Sequence, residues 1–337
     1  MIKEAISMLI AGQSLTTEQA ATVMREIMEG EATPAQIGAF LTALRLKGET
    51  VEEIVGLART MREKAVHVNT GVSLVDTCGT GGDNSNTFNI STAAAIVAAA
   101  AGVRIAKHGN RAMSSQCGSA DVLEALGVRI DLTADQVAKC IEHTGIGFLF
   151  APVFHPAMKH AAAPRREIGI RTVFNILGPL TNPARAKAQV LGVADISLAE
   201  KLAMALSELG CYHALVVHGE DGLDEITTAA RTFIYEVKEG RTTTYTIAPE
   251  ELALPRASKE QFKGSTPQEN ASLLRTILSG YKGPQRDVVL ANAAAALFVG
   301  GKVETLREGV SAAARAIDSG QALQKLEELI SFTQSLN

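Results

Sequence analysis

Four stretches of this chain carry residue types that could handle a phosphorylated, metal-bound ligand. The first is Asp76-Thr77-Cys78-Gly79-Thr80-Gly81-Gly82-Asp83. Its glycines let the backbone take positive φ and approach a ligand closely, and successive exposed N–H groups in such a turn make an anion nest. The loop runs through Thr87 and Asn89 to Ser91-Thr92, where a helix is expected to begin. A helix start offers free N–H donors and the positive end of the dipole, and both favour phosphate. No Gly-Lys-Ser/Thr follows, so this is not a Walker A loop, and the spacing is not a clean GxGxxG. A plain tight turn would use the same glycines.

The second stretch runs from Lys107 to Asp121 and includes His108, Gly109, Asn110, Arg111, Ser114, Ser115 and Ser119. Two cations, three hydroxyls and glycine-permitted N–H groups suit an anionic sugar phosphate; a solvated polar loop is the simpler alternative. The third is the acidic pair Asp224-Glu225, preceded by His218-Gly219-Glu220-Asp221-Gly222-Leu223. Neighbouring carboxylates diverge on a regular strand or helix, but on a loop both can turn to one hard cation such as Mg²⁺. An acidic loop can equally be solvated surface. The fourth is Arg165-Arg166 and the following Thr172–Pro183 stretch. A guanidinium offers a planar fork to a carboxylate, or a surface salt bridge.

The elements that must hold these loops are legible in part. Thr16, Thr33 and Thr50 each stand three residues before a Gln or Glu (Gln19, Gln36, Glu53), the spacing of a capping box. Pro34 fits a first helical position. Residues 1–66 therefore read as four helices. Residues 72–76 read as a strand, Ser91–Ala101 as a helix, Val103–Ala106 as a strand and Ala120–Leu126 as a helix, a βαβ pattern that implies a parallel sheet. In such a sheet both phosphate-type loops follow strands and lie at one edge, where ligands of open α/β sheets bind. Residues 133–182, punctuated by Pro152, Pro156, Pro164 and Pro179, read as a return to helix and loop. Strands are expected again at Ala188–Val193 and Ala214–Val217, then a hairpin of Phe233–Val237 and Thr243–Ile247 around Glu239-Gly240-Arg241, and helices from Pro267 onward.

Bulk properties exclude several classes. The 337 residues favour a large domain with a smaller one. With 36 acidic against 32 basic residues and a net charge of −4, there is no cationic excess to drive nucleic-acid binding. Cys78, Cys117, Cys140 and Cys211 form no CxxC pair, so a reduced, cytoplasmic protein without disulfides or zinc is expected. The alanine-rich run Ala93–Gly102 is too short to span a bilayer, and no membrane association is expected.

Taken together, GTGGD at 79–83, NIST at 89–92, KHGNRAMSSQCGSADVLEALG at 107–127, GIRTVFNILGPLTNP at 169–183 and the acidic pair at 224–225 resemble the anthranilate phosphoribosyltransferase family over nearly the whole chain. The 107–127 stretch is also similar to pyrimidine nucleoside phosphorylases, and a nucleic-acid-binding relative is a further alternative; GTGGD and NILGPLTNP argue for the first. The resemblance implies the nucleoside phosphorylase/phosphoribosyltransferase-like (class III phosphorylase) fold: a small N-terminal helical bundle, residues 1–70 with about 132–187, and a larger α/β domain with a mainly parallel sheet, 71–131 with about 188–337. It implies transfer of 5-phosphoribosyl from phosphoribosyl pyrophosphate to anthranilate, a homodimer formed through the bundle, and two Mg²⁺ ions per subunit. Carried over residue by residue, the phosphoribosyl pyrophosphate site would comprise Gly79, Gly82, Asp83, Thr87, Asn89, Ile90, Ser91, Thr92, Lys107, His108, Gly109, Asn110, Arg111, Ala112, Met113, Ser114, Ser115 and Ser119. Anthranilate would meet Gly79, Asn110, His155, Arg165 and Pro179. Ser91 would touch one metal ion, and Asp224 and Glu225 would hold the other. No dedicated general base is implied, with His108 the one candidate.

Overall fold

Local capping chemistry builds the N-terminal bundle. In the computed structural model, which describes residues 1–112 and 115–336, helices α1 (Ile2–Ile10), α2 (Thr17–Met28), α3 (Pro34–Lys47) and α4 (Val51–Glu63) fill the first 63 residues. Thr16, Thr33 and Thr50 each close a reciprocal capping box, and Pro34 opens α3. Met113 and Ser114, both expected at the sugar-phosphate site, lie outside the described residues.

A seven-stranded sheet, in the order β3-β2-β1-β4-β5-β6-β7, forms the rest of the framework. Its strands are β1 (Val75–Gly79), β2 (Ile105–Gly109), β3 (Ile146–Phe150), β4 (Ala188–Gly192), β5 (His213–Gly219), β6 (Thr232–Lys238) and β7 (Arg241–Ile247). β1 to β5 are mutually parallel, and β6 and β7 add an antiparallel edge. The helices that alternate with and follow them are α5 (Ile90–Ala100), α6 (Ser119–Leu126), α7 (Ala134–Thr144), α8 (Ala151–Phe154), α9 (Lys159–Ile168), α10 (Phe174–Leu177), α11 (Ala199–Glu208), α12 (Pro267–Leu278), α13 (Pro284–Val299), α14 (Leu306–Asp318) and α15 (Gln321–Ser335). Side chains alternate across the strands. Val190, Leu215 and Val217 join a core with α5, α13 and α14, while Leu191, Ala214 and Val216 join a second core shared with α11 and the bundle helices α1–α4. The bundle is thereby fused to one sheet face.

Several expectations are corrected. Residues 132–187 are not one helical excursion: Ile146–Phe150 is a strand paired in register with β2, and only beyond it does the chain return to the bundle, where α9 packs on α2 and α3. β1 begins at Val75 rather than Val72, because its in-register partner β4 runs opposite Val75–Gly79. β2 likewise runs to Gly109, so Lys107 and His108 stand on a strand and not in a loop. Pro164 lies inside α9 rather than ending it. The hairpin turn is the two-residue pair Glu239-Gly240, both at positive φ, with Arg241 already in β7 opposite Lys238; this is the geometry that suits a twisted two-residue hairpin. Among the described residues, no helix is long and apolar enough to cross a membrane.

Candidate active site

The strand order sets the place of the site. From β1 the chain moves outward to β2 and β3, then returns to the other side of β1 as β4. The order reverses between β1 and β4, and in open parallel sheets that switch point leaves a crevice at the carboxyl ends of the strands. Gly79 ends β1 directly opposite Gly192, which ends β4. Neither has a Cβ, and the loop after β5 uses the vacancy. A Cβ on Gly192 would fall 1.6 Å from the Asp224 carbonyl oxygen, and one on Gly79 would fall 2.6 Å from its carboxylate Oδ2. The paired glycines thus let Asp224 lie across the top of both strands. The N–H of Gly81 donates to Asp224 Oδ2 at 2.9 Å, and the N–H of Ser91, in the first turn of α5, donates to Glu225 Oε1 at 3.1 Å.

A cleft of about 390 Å³ opens here. Of the expected sugar-phosphate residues, Gly79, Gly82, Asp83, Thr87, Asn89, Ile90, Ser91, Thr92, Lys107, His108, Gly109, Asn110, Arg111, Ala112, Ser115 and Ser119 all border it, and so do Arg165, Pro179, Asp224 and Glu225. Ile90 and Thr92 are buried; the Ile90 N–H donates to the Phe88 carbonyl at 2.8 Å, and among the described residues the Thr92 hydroxyl has no hydrogen-bond partner. Asn89 serves the framework: its amide donates to the Cys117 carbonyl at 3.1 Å and its Oδ1 accepts from Asn270 at 3.1 Å, which ties the two phosphate-type loops to each other and to α12. His155 does not border the cleft; it is buried behind His108, with ring centroids 5.1 Å apart. Arg111 also departs from expectation. Its guanidinium is clasped by Glu124 and Asp121 at 2.8–3.1 Å, and its backbone N–H donates to Asn110 Oδ1 at 2.8 Å.

Burial governs the electrostatics. Loss of hydration pushes Asp224 up to about 7, aided by repulsion from Asp83, and Glu225 up to about 8, aided by repulsion from Asp224. Asp83 turns one oxygen to the Ser85 N–H, and among the described residues its buried Oδ2 has no partner. Clustered carboxylates whose charge is disfavoured, with an unpartnered oxygen beside them, fit a hard divalent cation, which favours oxygen ligands. Among the described residues no three His, Cys, Asp or Glu side chains converge as a closed cage, so remaining ligands would come from hydroxyls, water or a bound phosphate.

Lys107 is buried, and loss of hydration lowers its basicity while Asp76 opposes that shift. Its ammonium donates to the Thr77 carbonyl and, at 3.2 Å, to the Ser91 hydroxyl, which fixes that hydroxyl at the mouth of α5. Asp76 receives the His108 N–H at 3.1 Å and the Asn182 amide at 2.8 Å. His108 Nδ1 lies 3.1 Å from the Gly178 carbonyl, which assigns the ring proton to Nδ1. Nε2 is then an acceptor without a partner among the described residues, and desolvation with the neighbouring His155 pushes the ring down to about 3. Arg165 is half-buried over the Phe174 ring at 5.0 Å. Sequence reasoning missed Phe174 in this role, and it missed Arg171, whose guanidinium rests on Gly82 and donates to the Thr80 carbonyl at 3.3 Å. Gly82 was the available signal, since a residue without Cβ leaves room for a neighbour.

A switch-point cleft with a glycine turn, a lysine-anchored serine and an acidic loop, flanked by a helical bundle, suits a phosphorylated, metal-bound ligand. Residues 3–65 match the helical bundle domain of the glycosyl transferase family, and residues 71–323 match its α/β domain. The chain is 60% identical over 338 aligned residues to the anthranilate phosphoribosyltransferase of Dehalococcoides mccartyi, covering 100% of this chain and 99% of the relative. It is 58% identical to the enzyme of that name from Chloroflexus aurantiacus, covering 99% of each. The crystal structure of anthranilate phosphoribosyltransferase from Thermus thermophilus superposes with a TM-score of 0.93 at 47% identity, over 98% of this chain and 99% of that one. The Saccharomyces cerevisiae enzyme in complex with phosphoribosyl pyrophosphate and Mg gives 0.92 at 30% identity, over 99% and 98%. The chain belongs to the anthranilate phosphoribosyltransferases of the glycosyl transferase family.

Proposed function

We propose that this chain transfers the 5-phosphoribosyl group from phosphoribosyl pyrophosphate to the amine of anthranilate, releasing pyrophosphate, as a step of tryptophan biosynthesis. The observation that carries the reading is the convergence at the β1/β4 switch point: the glycine turn, the start of α5 and Asp224-Glu225 meet through Gly81 and Ser91.

The chemistry asks for stabilisation of a leaving pyrophosphate. The amine of anthranilate is a weak nucleophile, so bond breaking at ribose C1 must run ahead of attack, and the sugar becomes oxocarbenium-like. The glycine turn, the start of α5 and the Lys107 charge are fixed in advance beside the place where negative charge grows, an arrangement that lowers such barriers, while the Gly81 and Ser91 N–H groups hold the acidic pair in place. Asp224 and Glu225 would hold one Mg²⁺ and Ser91 would touch a second; bound Mg²⁺ supplies neutralisation of phosphate charge. Two ions per subunit belong to this proposal. Arg165 would receive the anthranilate carboxylate, with Asn110, Gly79 and Pro179 around the ring and His155 acting from behind His108. A histidine pushed down to about 3 stays uncharged at neutral pH, with its one proton on Nδ1 toward the Gly178 carbonyl, so His108 serves through Nε2 as an acceptor that orients the amine and not as an acid. Much of the remaining rate would come from aligning the two substrates. The reaction fits a cytoplasmic enzyme. Ile10 and Leu46, 74% and 83% exposed on the bundle, support a homodimer formed through that region.

Steady-state turnover, followed by loss of anthranilate fluorescence with and without Mg²⁺, tests the reading. Turnover should require both substrates and the metal. Phosphorolysis of a pyrimidine nucleoside, with no turnover of anthranilate, would overturn it.

A further inference from the structure

We propose that Arg171 is a further binding residue for the pyrophosphate group, one whose guanidinium takes a phosphate oxygen pair at the glycine turn. The inference rests on the functional reading above and adds a residue to it. Among the cations bordering the cleft, Lys107 is buried and already bonded to Thr77 and Ser91. Arg111 is neutralised by Glu124 and Asp121, and Arg165 is stacked on Phe174. Arg171 differs from all three. It is exposed, and among the described residues its side chain makes a single hydrogen bond, to the Thr80 carbonyl at 3.3 Å, and has no carboxylate within ion-pair distance.

Its position is specific. A Cβ on Gly82 would lie 1.6 Å from Nη1, so the guanidinium lies against the backbone of the glycine turn. It also stands between two spaces. One is the substrate cleft, and the other is a neighbouring cavity of about 180 Å³ whose walls include Arg45, Glu49, Asn175 and Asp195. With room on both sides, the fork can turn from the Thr80 carbonyl to a ligand without repacking the core. A planar guanidinium with most of its donors unbonded matches two phosphate oxygens, which an ammonium does only as a point charge.

A purely structural role, in which Arg171 only pins the turn through Thr80, makes a different prediction. Arg171→Gln keeps a donor for that carbonyl and removes the charge; Arg171→Lys keeps the charge. The full-length protein and both variants would be titrated calorimetrically with inorganic pyrophosphate in MgCl₂, and the KM values for both substrates measured. Expected results are pyrophosphate binding weakened about 10-fold or more in Arg171→Gln, in line with loss of a charge-assisted contact, and a similar rise in KM for phosphoribosyl pyrophosphate. KM for anthranilate should stay within about twofold, and Arg171→Lys should recover much of the loss, because a charge remains. Pyrophosphate binding by Arg171→Gln equal to wild type, or equal losses in the two variants, would overturn the assignment. Wild-type inactivity toward anthranilate would instead sink the functional reading, and the pyrophosphate titration would still judge Arg171.

Discussion

Gly79→Ala isolates the role of the paired glycines, because Gly79 is not among the residues with positive φ and alanine there carries no backbone strain. The new Cβ would sit 2.6 Å from Asp224 Oδ2, against an ordinary contact of at least 3.4 Å, so the carboxylate must retreat by roughly 0.8 Å. The Gly81 N–H···Oδ2 hydrogen bond, now 2.9 Å, then stretches beyond hydrogen-bonding range. Losing a hydrogen bond to a charged group costs about 1.5–3 kcal/mol, equivalent to about a 10- to 100-fold change in an equilibrium constant. That cost falls on the arrangement that accepts the metal and not on the core. Activity measured against free Mg²⁺, with both organic substrates saturating, should therefore show a half-saturation concentration raised about 10-fold or more, while the thermal midpoint changes little. Asp224→Asn should shift the same curve at least as far. A Gly79→Ala enzyme with the wild-type magnesium curve would refute the reasoning, since it would mean that Asp224 can yield its place without consequence.

Other outcomes follow from the same geometry. Arg165→Ala should raise KM for anthranilate about 10-fold or more and leave KM for phosphoribosyl pyrophosphate nearly unchanged; equal effects on both would count against the carboxylate assignment. Asn270→Ala removes the 3.1 Å bond to Asn89 and the 2.8 Å bond from the Ser265 N–H, so denaturant unfolding should show about 1–3 kcal/mol lost, with a higher KM for phosphoribosyl pyrophosphate alone. Unchanged stability and kinetics would dismiss the Asn89 node. His108 and His155 are buried, and desolvation lowers them from 6.5 to about 3 and about 4. Because the unfolded chain takes up these protons first, the stability they allow at neutral pH is lost as pH falls from about 6.5 toward 4 and 3. At pH 5 the loss is about 2 kcal/mol for each ring. A His108→Gln, His155→Gln double variant should show a visibly flatter dependence of unfolding free energy between pH 7 and pH 5, and an unaltered slope would contradict the burial argument.

Where bonding is local, the chain can be read directly. Each threonine cap and its glutamine or glutamate three residues on form hydrogen bonds within one turn, so the starts of helices α2, α3 and α4 are legible to within a residue. The glycine turn, the serine-rich stretch and the acidic pair also stand out by composition, and all three border one cleft. Strands are less legible, because a strand extends as far as its partner does. Sequence patterning alone starts β1 three residues early, places Lys107 in a loop and misses β3, although Ile146-Gly147-Phe148-Leu149-Phe150 is apolar throughout. Apolar content alone does not distinguish a buried strand from a helix segment.

Composition also could not rank the arginines. Arg111 and Arg171 are the same residue type beside the same kind of loop, yet Glu124 and Asp121 neutralise one and leave the other facing the cleft. Nor could it show that Gly79 and Gly192 stand opposite each other and jointly seat Asp224, from a third segment. Sequence by itself determined which chemical groups are present and which short turns they cap, since those depend on neighbours along the chain. Tertiary structure alone decided which groups share a cleft, because sheet order and register bring residues more than a hundred positions apart into contact, and charge pairing and burial then set what each can do.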